Sequence, residues 1–314
     1  MRGTQYILSL IFLGAMAFGS APLGATTTSA TTQKDLPICY IPGAGGGSTD
    51  AFSKFPQELE KRGIRFLTFD IGNVGTVVER AVKLALLMER ELDKNPKFTC
   101  HFFAYSMGGP VSRYFYSHLE LALKTGVKVD ARSVMVSLST FSSPHRGTPL
   151  ADWLNRYAPR YAAGMDDLSE ERMKAYNDPA FPETYSPVPT TIPVFSFLTF
   201  LDNADQTKDF LGKFGFKVIW QTYANRGLDP HNDGIIPFIS QAVGKVAMTV
   251  KAPHGFFSND LGLRPWAPDV FEAQYHSLNG SLDTLVKNGK LEALIASPRI
   301  NTDDLGLDNL QLIY

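Results

Sequence analysis

From Leu36 onward the chain alternates short apolar, β-rich runs with longer segments whose apolar residues recur at helical spacing. The first run, Leu36 to Ile41, ends in Pro42-Gly43-Ala44-Gly45-Gly46-Gly47, so a strand feeds a glycine-rich loop. A helical segment, Ala51 to Arg62, leads to a second strand, Ile64 to Phe69. The strongest helix signal spans Val74 to Leu92, where Val77, Val78, Ala81, Leu84, Ala85, Leu86 and Met88 recur at helical spacing. A strand over Phe98 to Ala104, a helix over Met107 to Lys124 and a strand over Ser133 to Leu138 continue the rhythm. Strand and helix in alternation predict an α/β fold with a mostly parallel central sheet flanked by helices.

Between Pro144 and Pro193 the rhythm breaks. Amphipathic pieces around Leu150 to Tyr157 and Leu168 to Tyr176 are joined by Pro159, Gly164 and a proline-rich stretch, which reads as a helical lid or cap insertion over about 148–190. Such pieces can bury their apolar faces against a pocket and expose them at an interface. Strand-like runs resume at Ile192 to Phe200, Lys217 to Tyr223 and Val246 to Val250, and helices over Asp269 to Leu278 and Ser281 to Ala296 close the domain. No internal repeat is visible.

The N-terminus has a different grammar. Arg2 is followed by an almost wholly apolar run from Tyr6 to Ala17 and then by small residues up to Ala25, which predicts a signal peptide over 1–25. The run is shorter than the roughly 20 residues of a spanning helix, so no stable membrane insertion is expected. A Thr/Ser/Ala leader over 26–34 precedes a domain over 35–314, and the product is secreted or periplasmic. With a net charge of −1 and no long basic run, the chain carries no footprint for nucleic acid. Two cysteines, Cys39 and Cys100, both fall in strand-like runs; an oxidising compartment permits a disulfide, and buried free thiols are the alternative.

The chemistry gathers at the ends of strands. In Ala104-Tyr105-Ser106-Met107-Gly108 a serine stands between a strand and a helix, with small residues two positions to either side. A sharp strand-to-helix turn tolerates only small flanks and leaves the serine hydroxyl exposed, as in a nucleophile elbow. Ester chemistry at that serine needs two amide donors for the oxyanion; Met107 supplies one and Ala44, in the glycine-rich loop, the other. A phosphate-binding loop is the competing reading of those glycines, but the lysine it requires is missing. In the order Ser, Asp, His, the acid is Asp233 in Asn232-Asp233-Gly234, with Asp229 as a rival, and the base is His254, with His276 as the alternative. His101 and His118 fall on a strand and a helix away from the strand ends.

These segments, together with Ser142-Ser143-Pro144-His145-Arg146-Gly147 and Asp167-Leu168-Ser169-Glu170, resemble the secreted bacterial triacylglycerol lipases of the Pseudomonas and Burkholderia type. The resemblance runs from about Leu36 to His254. It implies the α/β-hydrolase fold, a Ser106–His254–Asp233 triad, Ala44 and Met107 as oxyanion donors, and a lipid or other ester as substrate. The chain departs from the pattern at Pro42-Gly43, where those lipases have His-Gly, and at Phe256, where they carry a calcium-binding aspartate. Asp260 alone does not make a calcium site, so no cofactor is expected. Other acyl hydrolases (phospholipase, thioesterase, polyester depolymerase) and a binding module without turnover are the competing functions.

Overall fold

A computed structural model of the chain describes residues 36–44, 63, 65–72, 74–118, 129–158, 165–207 and 210–257, all within one compact unit, Thr32–Tyr314. The signal peptide, the leader, the expected helices over 51–62, 269–278 and 281–296, and the residues Asp260 and His276 lie outside the described residues.

Six strands form one sheet: β1 (Ile38–Ile41), β2 (Phe66–Thr68), β3 (Cys100–Tyr105), β4 (Met135–Phe141), β5 (Val194–Phe200) and β6 (Lys245–Lys251). They lie in the order β2-β1-β3-β4-β5-β6, and every neighbouring pair is parallel. The chain moves outward from β1 to β2, then returns to the other side of β1 and proceeds in one direction. The order therefore reverses between β1 and β3, and a parallel sheet opens a crevice at the carboxyl ends of its strands at such a point. Strand interiors buried on both faces explain the continuous apolar runs. Phe103, Phe141 and Phe197, all fully buried, stack across β3, β4 and β5 with centroids 4.0 and 4.3 Å apart.

Helix α1 (Val77–Lys94) begins later than its apolar stripe suggests because Thr76 and Glu79 form a capping box, each side chain accepting from the other's backbone N–H. Helix α2 (Gly108–Ser117) follows β3, and the short turn α3 (Ala131–Val134), capped by Asp130, sets β4 two residues later than expected. Helices α4 (Pro149–Tyr157) and α5 (Glu170–Asn177) lie in the segment over 148–190. Leu168, Met173 and Tyr176 belong to the main core, whereas Leu150 and Leu154 pack with Ile219 and Tyr223.

One expected element is corrected. Lys217 to Tyr223 reads as a strand from its β-branched and aromatic residues, yet it lies inside helix α6 (Phe210–Asn225). Gly212, Gly215, Phe216, Ile219 and Tyr223 are the buried positions, a helical stripe that outweighs local β-propensity. The two glycines matter: a Cβ on Gly215 would lie 2.1 Å from the carbonyl oxygen of Gly234, so α6 approaches that loop as only glycine allows. The short helix α7 (Phe238–Gln241) leads into β6. Cys39 and Cys100 are joined in a disulfide that ties β1 to β3.

Candidate active site

Ser106 sits in the turn between β3 and α2 at φ 51°, a conformation that costs a non-glycine residue about 1–2 kcal/mol. Tertiary bonds hold it there: its N–H donates to the Phe141 carbonyl at 2.8 Å, and its carbonyl accepts from Gly109 N at 3.1 Å. The need for small flanks has a direct cause. A Cβ on Gly108 would lie 2.2 Å from the carbonyl oxygen of Ile41, the last residue of β1. The loop after β1 passes equally close, since a Cβ on Gly43 would sit 2.8 Å from the Ser106 Cβ. Gly43 and Ser106 therefore lie side by side, and the two amides expected as oxyanion donors are those of the residues that follow them, Ala44 and Met107.

That loop is pinned by Arg80 of α1. Its Nη2 donates to the carbonyls of Pro42 and Gly43, both at 2.8 Å, from a fully buried position. Burial pushes the guanidinium down to about 10, which leaves it charged at neutral pH. Arg80 belongs to no catalytic motif of the sequence. Its position three residues after Val77, inside an apolar stripe, was the available signal.

His254 opens a 3-10 turn, His254–Phe257, just beyond β6. Its Nε2 is 3.0 Å from Ser106 Oγ and its Nδ1 is 2.8 Å from Asp233 Oδ2. Because a carboxylate only accepts, Nδ1 carries the proton and Nε2 is free to accept from the serine hydroxyl. His254 is also anchored by its backbone, through its N–H to the Asp233 carbonyl at 2.8 Å and its carbonyl to the Tyr105 hydroxyl at 2.9 Å.

Asp233 is buried in the loop between α6 and α7. That loop was expected after a strand; it follows a helix instead, but Asn232 bridges to Leu201, at the carboxyl end of β5, and so returns the acid to the sheet's rim. Oδ1 accepts from the N–H groups of Ile235 and Ile236 at 3.0 and 2.8 Å. Oδ2 accepts from Thr199 Oγ1 at 2.8 Å, from Gln241 Nε2 at 3.3 Å and from His254. Neither Thr199 nor Gln241 was legible as a site residue. Asp229, the rival acid, pairs with His231, whose imidazole it holds above the usual range. His101 bonds Ser137 within the sheet, and His118 stacks on Tyr114. Among the described residues no group of three or more His, Cys, Asp or Glu side chains could hold a metal ion.

A hydroxyl at a strand-to-helix turn, bonded to an imidazole that is bonded to a buried carboxylate, stands at the carboxyl ends of the strands, next to the point where the strand order reverses. Solved structures share the fold of the chain. The mature lipase BlEst2 of Bacillus licheniformis superposes with a TM-score of 0.56 at 19% identity, covering 76% of this chain and 92% of its own. The lipase of Staphylococcus hyicus gives 0.54 at 16% identity over 82% and 97%. Lipase 1 of Pelosinus fermentans gives 0.54 at 15% identity over 76% and 99%. The fold is that of the α/β-hydrolases. No family model matches the chain. In sequence it is similar to triacylglycerol lipase 2 of Saccharomyces cerevisiae, 27% identical over 100 residues that span 31% of this chain and 28% of the yeast protein. No helix among the described residues is long and apolar enough to cross a membrane.

Proposed function

We propose that the chain is a secreted serine hydrolase of carboxylic esters, with acylglycerols as its natural substrate class. The observation that carries this reading is the unbroken chain of hydrogen bonds from Asp233 through His254 to a serine at positive φ. Lipases among the solved structures with the same fold, and the yeast lipase segment, favour an ester as the substrate. Secretion rests on the signal-like N-terminus and on the disulfide, which suits an oxidising compartment.

In the proposed reaction His254 Nε2 takes the proton as Ser106 Oγ attacks the ester carbonyl, and Asp233 holds the imidazole in the accepting tautomer and stabilises its protonated form. The tetrahedral oxyanion is held by the Ala44 and Met107 amides. His254 returns its proton to the leaving alcohol. Water, deprotonated by the same imidazole, then adds to the acyl-enzyme carbonyl, and Ser106 leaves with the proton, freeing the carboxylic acid. The test is hydrolysis of p-nitrophenyl esters by the wild-type protein, Ser106→Ala and His254→Ala. Both variants should lose at least about a thousandfold in kcat while keeping the wild-type melting temperature; near-normal turnover in Ser106→Ala contradicts the reading.

A further inference from the structure

Among the described residues only two non-glycine residues carry positive φ: Ser106 at 51° and Ser142 at 46°. Strain of this kind persists where the surroundings enforce it and collects at functional sites. Ser106 has a role in the reaction above. Ser142, one residue beyond β4 and fully buried, has none.

Its hydroxyl leads back to the site. Ser142 Oγ is 2.6 Å from Thr199 Oγ1, and Thr199 Oγ1 is 2.8 Å from Asp233 Oδ2. The carboxylate can only accept, so the Thr199 hydroxyl donates to Asp233, and its oxygen is left to accept the Ser142 proton. The direction of the relay is thereby fixed: Ser142 to Thr199 to Asp233. Gln241 locks Thr199 in place, its Oε1 accepting from Thr199 N and its Nε2 donating to Thr199 O, both at 2.9 Å. The Ser142 backbone N–H donates to Phe197 O at 3.0 Å, which holds the residue over β5.

We propose that Ser142 and Thr199 are positioning residues: a two-hydroxyl relay that sets how strongly Asp233 acts on His254, with Ser142 kept at positive φ to deliver its hydroxyl. The inference rests on the Ser106–His254–Asp233 reading. Donors on Oδ2 share the negative charge that faces the imidazole, and each hydroxyl in a chain strengthens the next. Removing the relay leaves a more basic carboxylate, which favours the imidazolium. The base is then lost at a higher pH. Charged groups on the neighbouring elements are paired with one another, Lys251 with Asp202 and His231 with Asp229. Tyr105 meets the His254 backbone carbonyl and ring face. These groups are common to every variant, so a difference between variants reports the relay.

The experiment follows kcat and KM for a soluble p-nitrophenyl ester from about pH 5 to 9 in wild type, Thr199→Val, Thr199→Ser and Ser142→Gly, with melting temperatures alongside. Thr199→Val should lower kcat about tenfold, hold KM within about twofold, and move the acid limb up by about half a unit or more, with Thr199→Ser restoring both. Ser142→Gly should melt at or above the wild-type temperature, because glycine accepts positive φ without cost, yet move the acid limb the same way. A purely structural role predicts no movement of that limb. An unmoved limb in Ser142→Gly overturns the relay even where Thr199→Val fails to fold. Should the wild type show no Ser106-dependent hydrolysis, the relay and the reading beneath it fall together; Ser106-dependent hydrolysis with unmoved limbs removes the relay alone.

Discussion

Arg80 is the residue whose effect is hardest to anticipate from its chemistry alone. A buried guanidinium is costly, and here it is bonded to two carbonyls of the loop after β1. Those bonds fix the loop that carries Ala44, so Arg80→Met should lower kcat by about 10- to 100-fold with little change in KM, the pattern of a misplaced oxyanion donor. Steady-state kinetics with a soluble ester check it. His145 is a second case. It is fully buried with Arg113 Nη1 at 3.5 Å from its Nδ1, and burial together with the Arg113 and Arg146 charges holds it well below 6.5. The folded protein therefore refuses a proton that the unfolded chain binds below pH 6.5. Its contribution is present in full above that pH and is lost as pH falls, by about 1 kcal/mol for the first unit. Urea midpoints at pH 7.5 and 5.5 should differ more in wild type than in His145→Gln.

At the scale of elements, the disulfide and the cap carry the testable energetics. Cys39 and Cys100 close a loop with a sequence separation of 61 between β1 and β3, the two strands whose ends hold the loop and the serine. By loop entropy this is worth about 4 kcal/mol, so the Cys39→Ala, Cys100→Ala double variant should lose about 2–4 kcal/mol in urea unfolding while Ser106 keeps its environment. The cap segment was expected to contain a lid. Its two described helices and the 3-10 turn Asp166–Leu168 between them bury Leu150, Leu154, Leu168, Met173 and Tyr176, and swinging all three outward would expose these five at a cost on the order of 10 kcal/mol. That equals the stability of a typical domain. The helices should thus act as a fixed cap, and turnover of a triglyceride emulsion should rise smoothly, without a jump at the solubility limit. A sharp jump would mean that they move.

Across the whole molecule, the periodicity of the chain was a good guide wherever local pattern and tertiary role coincide. The runs around Ile38, Phe102, Leu138, Phe197 and Ala247 are buried strands of one parallel sheet, as continuous apolar runs imply. Ser106, Asp233 and His254 were legible because each lies at a strand end or in a turn rich in small residues. What the pattern could not carry was contact between distant segments. Nothing local marks Thr199 as the partner of Asp233, Ser142 as the partner of Thr199, or Cys39 as bonded to Cys100. Lys217 to Tyr223 misled for the same reason, since its helical face is defined by Leu150, Leu154 and the Gly234 loop.

The loop after β1 and the turn after β3 meet where the strand order reverses, and Ser106 is the proposed nucleophile there. Labelling with a fluorophosphonate probe, followed by peptide mass spectrometry, tests this most directly. One adduct is expected, on Ser106, with ester hydrolysis lost in proportion to labelling. Hydrolysis that continues after Ser106 is fully labelled, or an adduct on another residue that abolishes it, rules out Ser106 as the nucleophile.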